Sequence, residues 1–199
     1  MEERPFHHGS LRTVLLDQAE LVLRERGIDA LSLRELARDA GVSHGAPRSH
    51  FIDRKALIDA LGERGFIQLA DAMRDAASAE TADYAESLRA AAHAYVDFAV
   101  RNAALLDLMF AAKMATPPDS LLDAAERFFE TISDIMRRGV AAGVFAPGEL
   151  DRLTHLVSAT MQGISTFVGA GRASGRQVDV LIDDAVTMFL GAALDPEPK

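Results

Sequence analysis

The stretch from Ser32 to Lys55 constrains the chain more than any other. Ser32 stands three residues before Glu35, the spacing at which a serine caps a helix and a glutamate reaches back to its N–H. Leu33, Leu36, Ala37 and Ala40 recur at helical spacing, so a short helix with one apolar face is expected. Gly41 suits the left-handed conformation that ends a helix, Val42 is expected to turn into the core, and Ser43 to cap a second helix. The small Ala37, four residues before Gly41, lets two helices cross closely. Together these features describe a helix-turn-helix unit, whose second helix is shaped for the DNA major groove. Phe51, Leu57 and Ile58 supply apolar contacts beneath it, and Asp53 is placed to cap the helix that follows.

No segment sustains the two-residue alternation of a strand, and the turn-rich spacing of β-proteins is missing. Helical periodicity covers about 10–26, 53–77, 84–101, 103–114, 120–142, 149–171 and 177–193, with breaks at Thr116-Pro117-Pro118, at Gly143 to Gly148 and at Gly171 to Gly175. An all-α fold of about nine helices is therefore expected. Residues 1–55 are assigned to a three-helix, helix-turn-helix head and 56–199 to a ligand-binding and dimerisation domain. The long helix of about 53–77 joins them.

The formal charge of −9 looks wrong for a DNA partner until it is divided. Residues 1–55 hold nine Lys/Arg and nine Asp/Glu, and the remainder twelve and twenty-one, so the whole deficit lies outside the head. Phosphate repulsion would then orient the molecule head-first. The chain has no cysteine, which fits a reducing cytoplasm, and no apolar run follows the acidic start, so a cytoplasmic location without a secretory signal is expected. Leu153 to Gly171 carries no Asp, Glu, Lys or Arg, yet its Thr154, His155, Ser158, Thr160, Gln162, Ser165 and Thr166 make it too polar to span a membrane. Such a helix belongs between protein layers or in a subunit interface.

The run Leu-Ser-Leu-Arg-Glu-Leu-Ala (31–37), Ala-Gly-Val-Ser (40–43), His50-Phe51 and Asp53-Arg54-Lys55-Ala56-Leu57 resembles the tetracycline-repressor (TetR) family of transcriptional regulators almost position for position. His7-His8-Gly9-Ser10-Leu11-Arg12 resembles one large branch of it. The strong part of the likeness covers roughly the first 66 residues. A ligand-responsive regulator is implied: a homodimeric repressor that binds a double-stranded, pseudo-palindromic operator and is released by a small apolar effector. The alternative is a helical small-molecule-binding protein whose DNA binding has weakened or gone.

Recognition helices read bases with their first residues, and neighbouring helix ends and cations hold phosphates. His44, Gly45 and Ala46 are accordingly expected at base edges. Ser43 and the helix start at Arg54 and Lys55 are expected at phosphates, where Arg54 matches a basic residue common in the family. Arg34 matches a family position that often reaches a base or phosphate. Two departures stand out. Arg48 replaces a tyrosine of most relatives and brings a full charge. Pro47 removes a backbone donor inside a very short helix. His50 is expected on the phosphate side or in a structural role.

In the second domain, Met109, Phe110, Met114, Phe128, Phe129, Met136, Met161 and Phe167 form a polarisable apolar set, with His93, Tyr95, Lys113, His155 and Gln162 as scattered polar groups; of these, His93, Met109, Phe110, Met114, Phe129, Met161, Gln162 and Phe167 are the expected effector pocket. Asn102 to Phe110 resembles the helix-six run of many family members. The last helix repeats Val178, Leu181, Ile182, Ala185, Phe189 and Ala193. With the uncharged helix before it, it is expected to form a four-helix seam with a second copy. No zinc, nucleotide or nucleophile-elbow motif is present, so neither enzyme activity nor a cofactor is expected. The His7-His8 pair has no third ligand spaced nearby, so no metal is expected either.

Overall fold

A computed structural model of the chain describes residues 8–43, 45–78 and 83–192. Among them are eight α-helices and no strand: α1 (His8–Arg26), α2 (Leu33–Asp39), α3 (Arg54–Ala77), α4 (Tyr84–Arg101), α5 (Ala103–Met114), α6 (Asp119–Ala141), α7 (Leu150–Gly169) and α8 (Arg176–Ala192). The expected recognition helix is one turn of 3-10 helix, Ala46–Ser49, which brings the helical elements of the expected plan to nine. Two further 3-10 turns lie at Ile28–Ala30 and Pro147–Glu149. No helix among the described residues is long and apolar enough to cross a membrane.

The chain divides into two compact units, Met1–Gly65 with Asn102–Ala124, and Phe66–Arg101 with Ala125–Lys199. In the first, α1 buries Leu11, Leu15, Leu16, Ala19 and Leu23. Leu23 replaces Val22 on the inner face, because Val22 is only half-buried. Gly27, at φ +78°, ends the helix. α5 belongs to this unit, although periodicity alone grouped it with the second domain. It packs along α1, and its Leu105 and Met109 approach α3 at Gly65, where an added Cβ would lie 2.5 Å from the Met109 sulfur. At Gly62 the same atom would lie 2.8 Å from Leu121. Glycine at both positions is thus a condition of the close approach. Polar ties reinforce it: Arg24 donates to Asn102 Oδ1 at 3.3 Å and Ser120 to Glu63 at 3.0 Å. Arg64 bridges Asp17 and Glu20 at 2.5 and 3.1 Å.

The second unit groups α4, α7 and α8 with the later parts of α3 and α6. Phe128 sits at its centre, 5.7 Å from Phe66 and 6.4 Å from Tyr95 between ring centroids. Arg138 of α6 donates to Ala77 O at 2.9 Å, satisfying a carbonyl at the end of α3, and to Ser87 Oγ at 3.1 Å. From α8 the buried residues are Ile182, Val186 and Phe189. Val178 and Ala185 are half-buried and Leu181 exposed, so the inward face is narrower than the apolar repeat implied; Ala193 lies outside the described residues.

The Tyr84 and Phe145 rings meet edge-on at 5.6 Å directly over Gly139. A Cβ there would stand 2.6 Å from Phe145 Cδ2 and would also overlap Tyr84. Rigid rings cannot swing aside as a methionine can. Gly139→Ala is expected to lower unfolding free energy by about 1–3 kcal/mol in urea titrations. Gly148→Ala, where a Cβ meets nothing within 4 Å, is expected to change it by under about 0.5 kcal/mol.

Candidate functional site

The helix-turn-helix is assembled from local caps. The Glu35 N–H donates to Ser32 Oγ at 3.5 Å, as the spacing predicted. Gly41 takes φ +69°, and the Val42 N–H returns to Ala37 O at 3.0 Å, closing the end of α2. Leu36 and Ala37 are buried on the inner face, and Val42 is half-buried where full burial was expected. Past the turn, Ser43 works through its carbonyl, which accepts from the Ala46 N–H at 3.0 Å. The cap position of the 3-10 turn falls to Gly45, with no side-chain cap. Pro47 is buried in the first positions of that turn, where its N–H would have lacked a partner anyway, so its cost there is small. Phe51, 2% exposed, lies beneath, with the Arg12 guanidinium 5.5 Å over its ring. Asp53 Oδ1 accepts from the Ala56 N–H at 2.8 Å and starts α3.

What this scaffold presents outward is a short exposed surface. Ser43, Gly45, Arg48 and Ser49 are exposed, and Ala46 is half-exposed. Arg34, on the first turn of α2, is exposed as well. Arg34 and Arg48 make no ion pair or side-chain hydrogen bond among the described residues, and His44 lies outside them. His50 is half-buried, and its Nε2 is buried without a described partner.

Two expected phosphate contacts are engaged inside the protein. Arg54 donates from Nε to Leu31 O at 3.1 Å and from a terminal nitrogen to Ile28 O at 2.5 Å, clamping the loop before α2 onto the start of α3. Lys55 pairs with Asp59 at 2.7 Å and donates to Thr116 O at 3.2 Å. Thr116, at φ 45°, is the one non-glycine residue with positive φ among those described. The carbonyl partners could not be read from spacing, because they lie 23 to 61 positions away, whereas Lys55–Asp59 is an ordinary i,i+4 pair.

The expected effector residues are split between the units. Met109, Phe110 and Met114 are in the first, with Met109 fully buried and Met114 84% exposed. The others lie in the second unit, which contains an apolar cavity of about 30 Å³. Met73, Leu88, Ala91, Ala92, Tyr95, Ile132, Ile135, Met136, Val157, Ser158 and Met161 line it, and Met161 alone comes from the expected set. Gln162 stands just behind, accepting the Tyr95 hydroxyl proton at 2.5 Å. His93 bridges α4 to α8, its Nε2 3.1 Å from Asp183. Phe129 and Phe167 are 38% and 41% exposed, and Arg172 lies over the Phe167 ring at 5.7 Å. Tyr95 is among the polar groups expected in this domain, but its pairing with Gln162, 67 positions away, has no local signal.

After Arg152, α7 carries no Asp, Glu, Lys or Arg. Leu156, Ala159, Gly163 and Phe167 are exposed along it at helical spacing. On α8, Val180 and Met188 are 49% and 74% exposed. An uncharged stripe of this length is unusual for a solvated helix face.

Comparison with known proteins gives a consistent picture. Residues 15–61 match the family described as "Bacterial regulatory proteins, tetR family", and residues 88–189 match "Tetracyclin repressor-like, C-terminal domain". A solved protein of unknown function from Rhodococcus sp. RHA1 is 40% identical, covering 96% of this chain and 99% of that one at a TM-score of 0.87. The TetR family transcriptional regulator PfmR from Thermus thermophilus shares the fold at a TM-score of 0.68, with 21% identity over 89% of this chain and 97% of that one. The uncharacterized HTH-type transcriptional regulator YobS of Bacillus subtilis (strain 168) is 30% identical over 94 residues. That match covers 47% of this chain and 48% of the relative, about half the length of each.

Burial raises the Tyr95 phenol from 10.0 to about 12. It pushes Tyr84 up too, with Arg138 acting weakly the other way. The folded state therefore keeps protons that the unfolded chain releases near pH 10, so this contribution to stability is whole below about pH 10 and is lost as pH rises through 12. Both of the chain's tyrosines are expected to resist ionisation: absorbance at 295 nm should stay flat through pH 10 and rise only with loss of helix. A normal phenol titration in the folded protein would contradict the burial.

Proposed function

The chain belongs to the tetracycline-repressor family of bacterial transcription regulators and carries its helix-turn-helix DNA-binding domain, and from that premise we propose that it acts as a homodimeric repressor released from DNA by a small apolar effector. The observation that carries the DNA half of this reading is a pair of exposed cations, Arg34 on the first turn of α2 and Arg48 in the exposed turn itself, neither of them ion-paired among the described residues. Ser43, Gly45 and Ala46 stand between them, with room for a backbone or methyl to approach a base edge. His44, which lies outside the described residues, remains a proposed base contact by its sequence position, and His50 a proposed phosphate-side residue. Arg54 and Lys55 act one step back: their internal bonds hold the start of α3 and the loop before α2 in place, so the head meets DNA as a fixed shape.

One turn of helix reads too few bases to select an operator. Two heads set about 34–36 Å apart would read two successive major grooves, giving a pseudo-palindromic site. The uncharged outer stripe of α7, with the exposed Val180 and Met188 of α8, is the surface for that pairing, four helices meeting across a two-fold axis. PfmR and YobS are described as transcriptional regulators, and the cavity in the second unit supplies a place for an effector. Release requires only that the effector bind the DNA-incompatible state more tightly, with about 10⁴-fold preference for a full switch.

Arg48→Ala is expected to weaken binding to all duplex DNA and to lower the slope of log affinity against log salt by about 1, with no change in melting temperature. Arg54→Ala is expected to lower the melting temperature by the equivalent of about 1 kcal/mol, through two carbonyls losing their donor. An unaltered salt slope for Arg48→Ala removes it from the interface.

Leu156→Glu tests the pairing surface. Because Leu156 is 46% exposed within one protomer, the variant should fold with full helix content yet sediment as a monomer and bind DNA at least tenfold more weakly. A dimer of unchanged affinity would place the seam elsewhere.

A further inference from the structure

One cation of the head lies outside the helix-turn-helix and is held by an aromatic ring instead of a carboxylate. Arg12, on the second turn of α1, is exposed, and its guanidinium lies 5.5 Å over the Phe51 ring. It makes no ion pair among the described residues, and the acids nearest to it on α1, Asp17 and Glu20, are already taken by Arg64. A guanidinium stacked on a ring keeps its N–H groups at the edge of its plane, where an anion can meet them. Phe51 is also the support of the exposed turn: it is 2% exposed, and its N–H returns to Pro47 O at 2.8 Å.

Two contacts show which end of the head Arg12 occupies. Arg64 of α3 meets Asp17 and Glu20 midway along α1, and Arg12 meets Phe51, three residues before α3 begins at Arg54. From the first contact to the second is about 15 Å back along α3 and about 10 Å back along α1. The two helices therefore start from the same end, and that end carries the turn Ala46–Ser49. We propose that Arg12 is a further DNA-anchoring residue: its guanidinium, kept in place by the Phe51 ring, takes a backbone phosphate beside the groove that the turn enters. The inference rests on the DNA reading proposed above and extends its surface to α1. Arg48 and Arg12 then hold each head at two separated points, which fixes its orientation on the duplex. A phosphate contact carries no sequence information, so base choice stays with the turn.

The probe is a mixed-sequence duplex of about 40 base pairs, titrated with the full chain by fluorescence anisotropy from about 50 to 200 mM KCl. Arg12→Leu keeps an apolar cover on Phe51 and removes the charge, Arg12→Gln is a second neutral variant, and Arg12→Lys keeps the charge without the planar stack. In both neutral variants the slope of log affinity against log salt is expected to fall by about 1 for each bound head, while Arg12→Lys keeps the wild-type slope. Affinity at about 100 mM salt should drop about two- to fivefold in the neutral pair. Circular dichroism and melting temperature check folding. A residue that merely covers Phe51 would lower melting temperature, most in Arg12→Lys and Arg12→Gln, and leave all the slopes alike. Slopes unmoved in the neutral variants, or an equal loss in Arg12→Lys, remove Arg12 from the DNA surface while the repressor reading stands. A wild-type protein without salt-dependent duplex binding overturns that reading, and this inference with it.

Discussion

A reading segment of four residues in a 3-10 turn cannot hold its own shape in water, because so short a helix forms too few hydrogen bonds to offset its ordering. Its geometry is borrowed from what lies under it. Pro47 and Phe51 are buried at its two ends, and Phe51 is covered by the Arg12 guanidinium. The Phe51 N–H returns to Pro47 O at 2.8 Å. The capped ends of α2 on one side and of α3 on the other fix where the turn starts and stops. Everything said about DNA depends on this buried support, since exposed Arg48 is useful only if the turn that carries it is rigid.

The same logic explains the roles of Arg54 and Lys55. A cation at a helix start beside a recognition segment is a good phosphate candidate by position, and both residues matched that pattern. Their heads instead satisfy carbonyls at Ile28, Leu31 and Thr116. Each ties together segments that are distant in the chain, which makes the head a single body with α5. Gly62 and Gly65 serve that end too, by letting α5 lie against α3. α3 thus contributes to the head through its first half and to the second unit through its second half.

Much of the fold was legible in the chain because its signals are local. Ser32, Gly41 and Asp53 each act within four residues of themselves, and the structure has them capping and terminating helices as expected; the Glu35 carboxylate, expected to reach back to Ser32, pairs with Arg26 at 3.5 Å. Positions decided by contacts between distant segments were less readable. Val22 and Val42 are half-buried although their spacing pointed inward, since Leu23 fills the interior place beside Val22. The expected effector residues are dispersed for a related reason. A methionine-and-phenylalanine stripe looks the same whether it faces a cavity, as Met161 does, or a neighbouring helix, as Met109 does. Tyr95 and Gln162 are joined across 67 positions by a hydrogen bond that no local pattern encodes.

Two identical heads held at a fixed separation require a target that repeats with inverted symmetry. Selection of bound sites from a pool of randomised duplexes measures this directly, with no operator chosen in advance. The account predicts enrichment of an inverted repeat with half-sites centred about 10 base pairs, or one helical turn, apart. Enrichment of a single unrepeated half-site, or of no sequence at all, would contradict it.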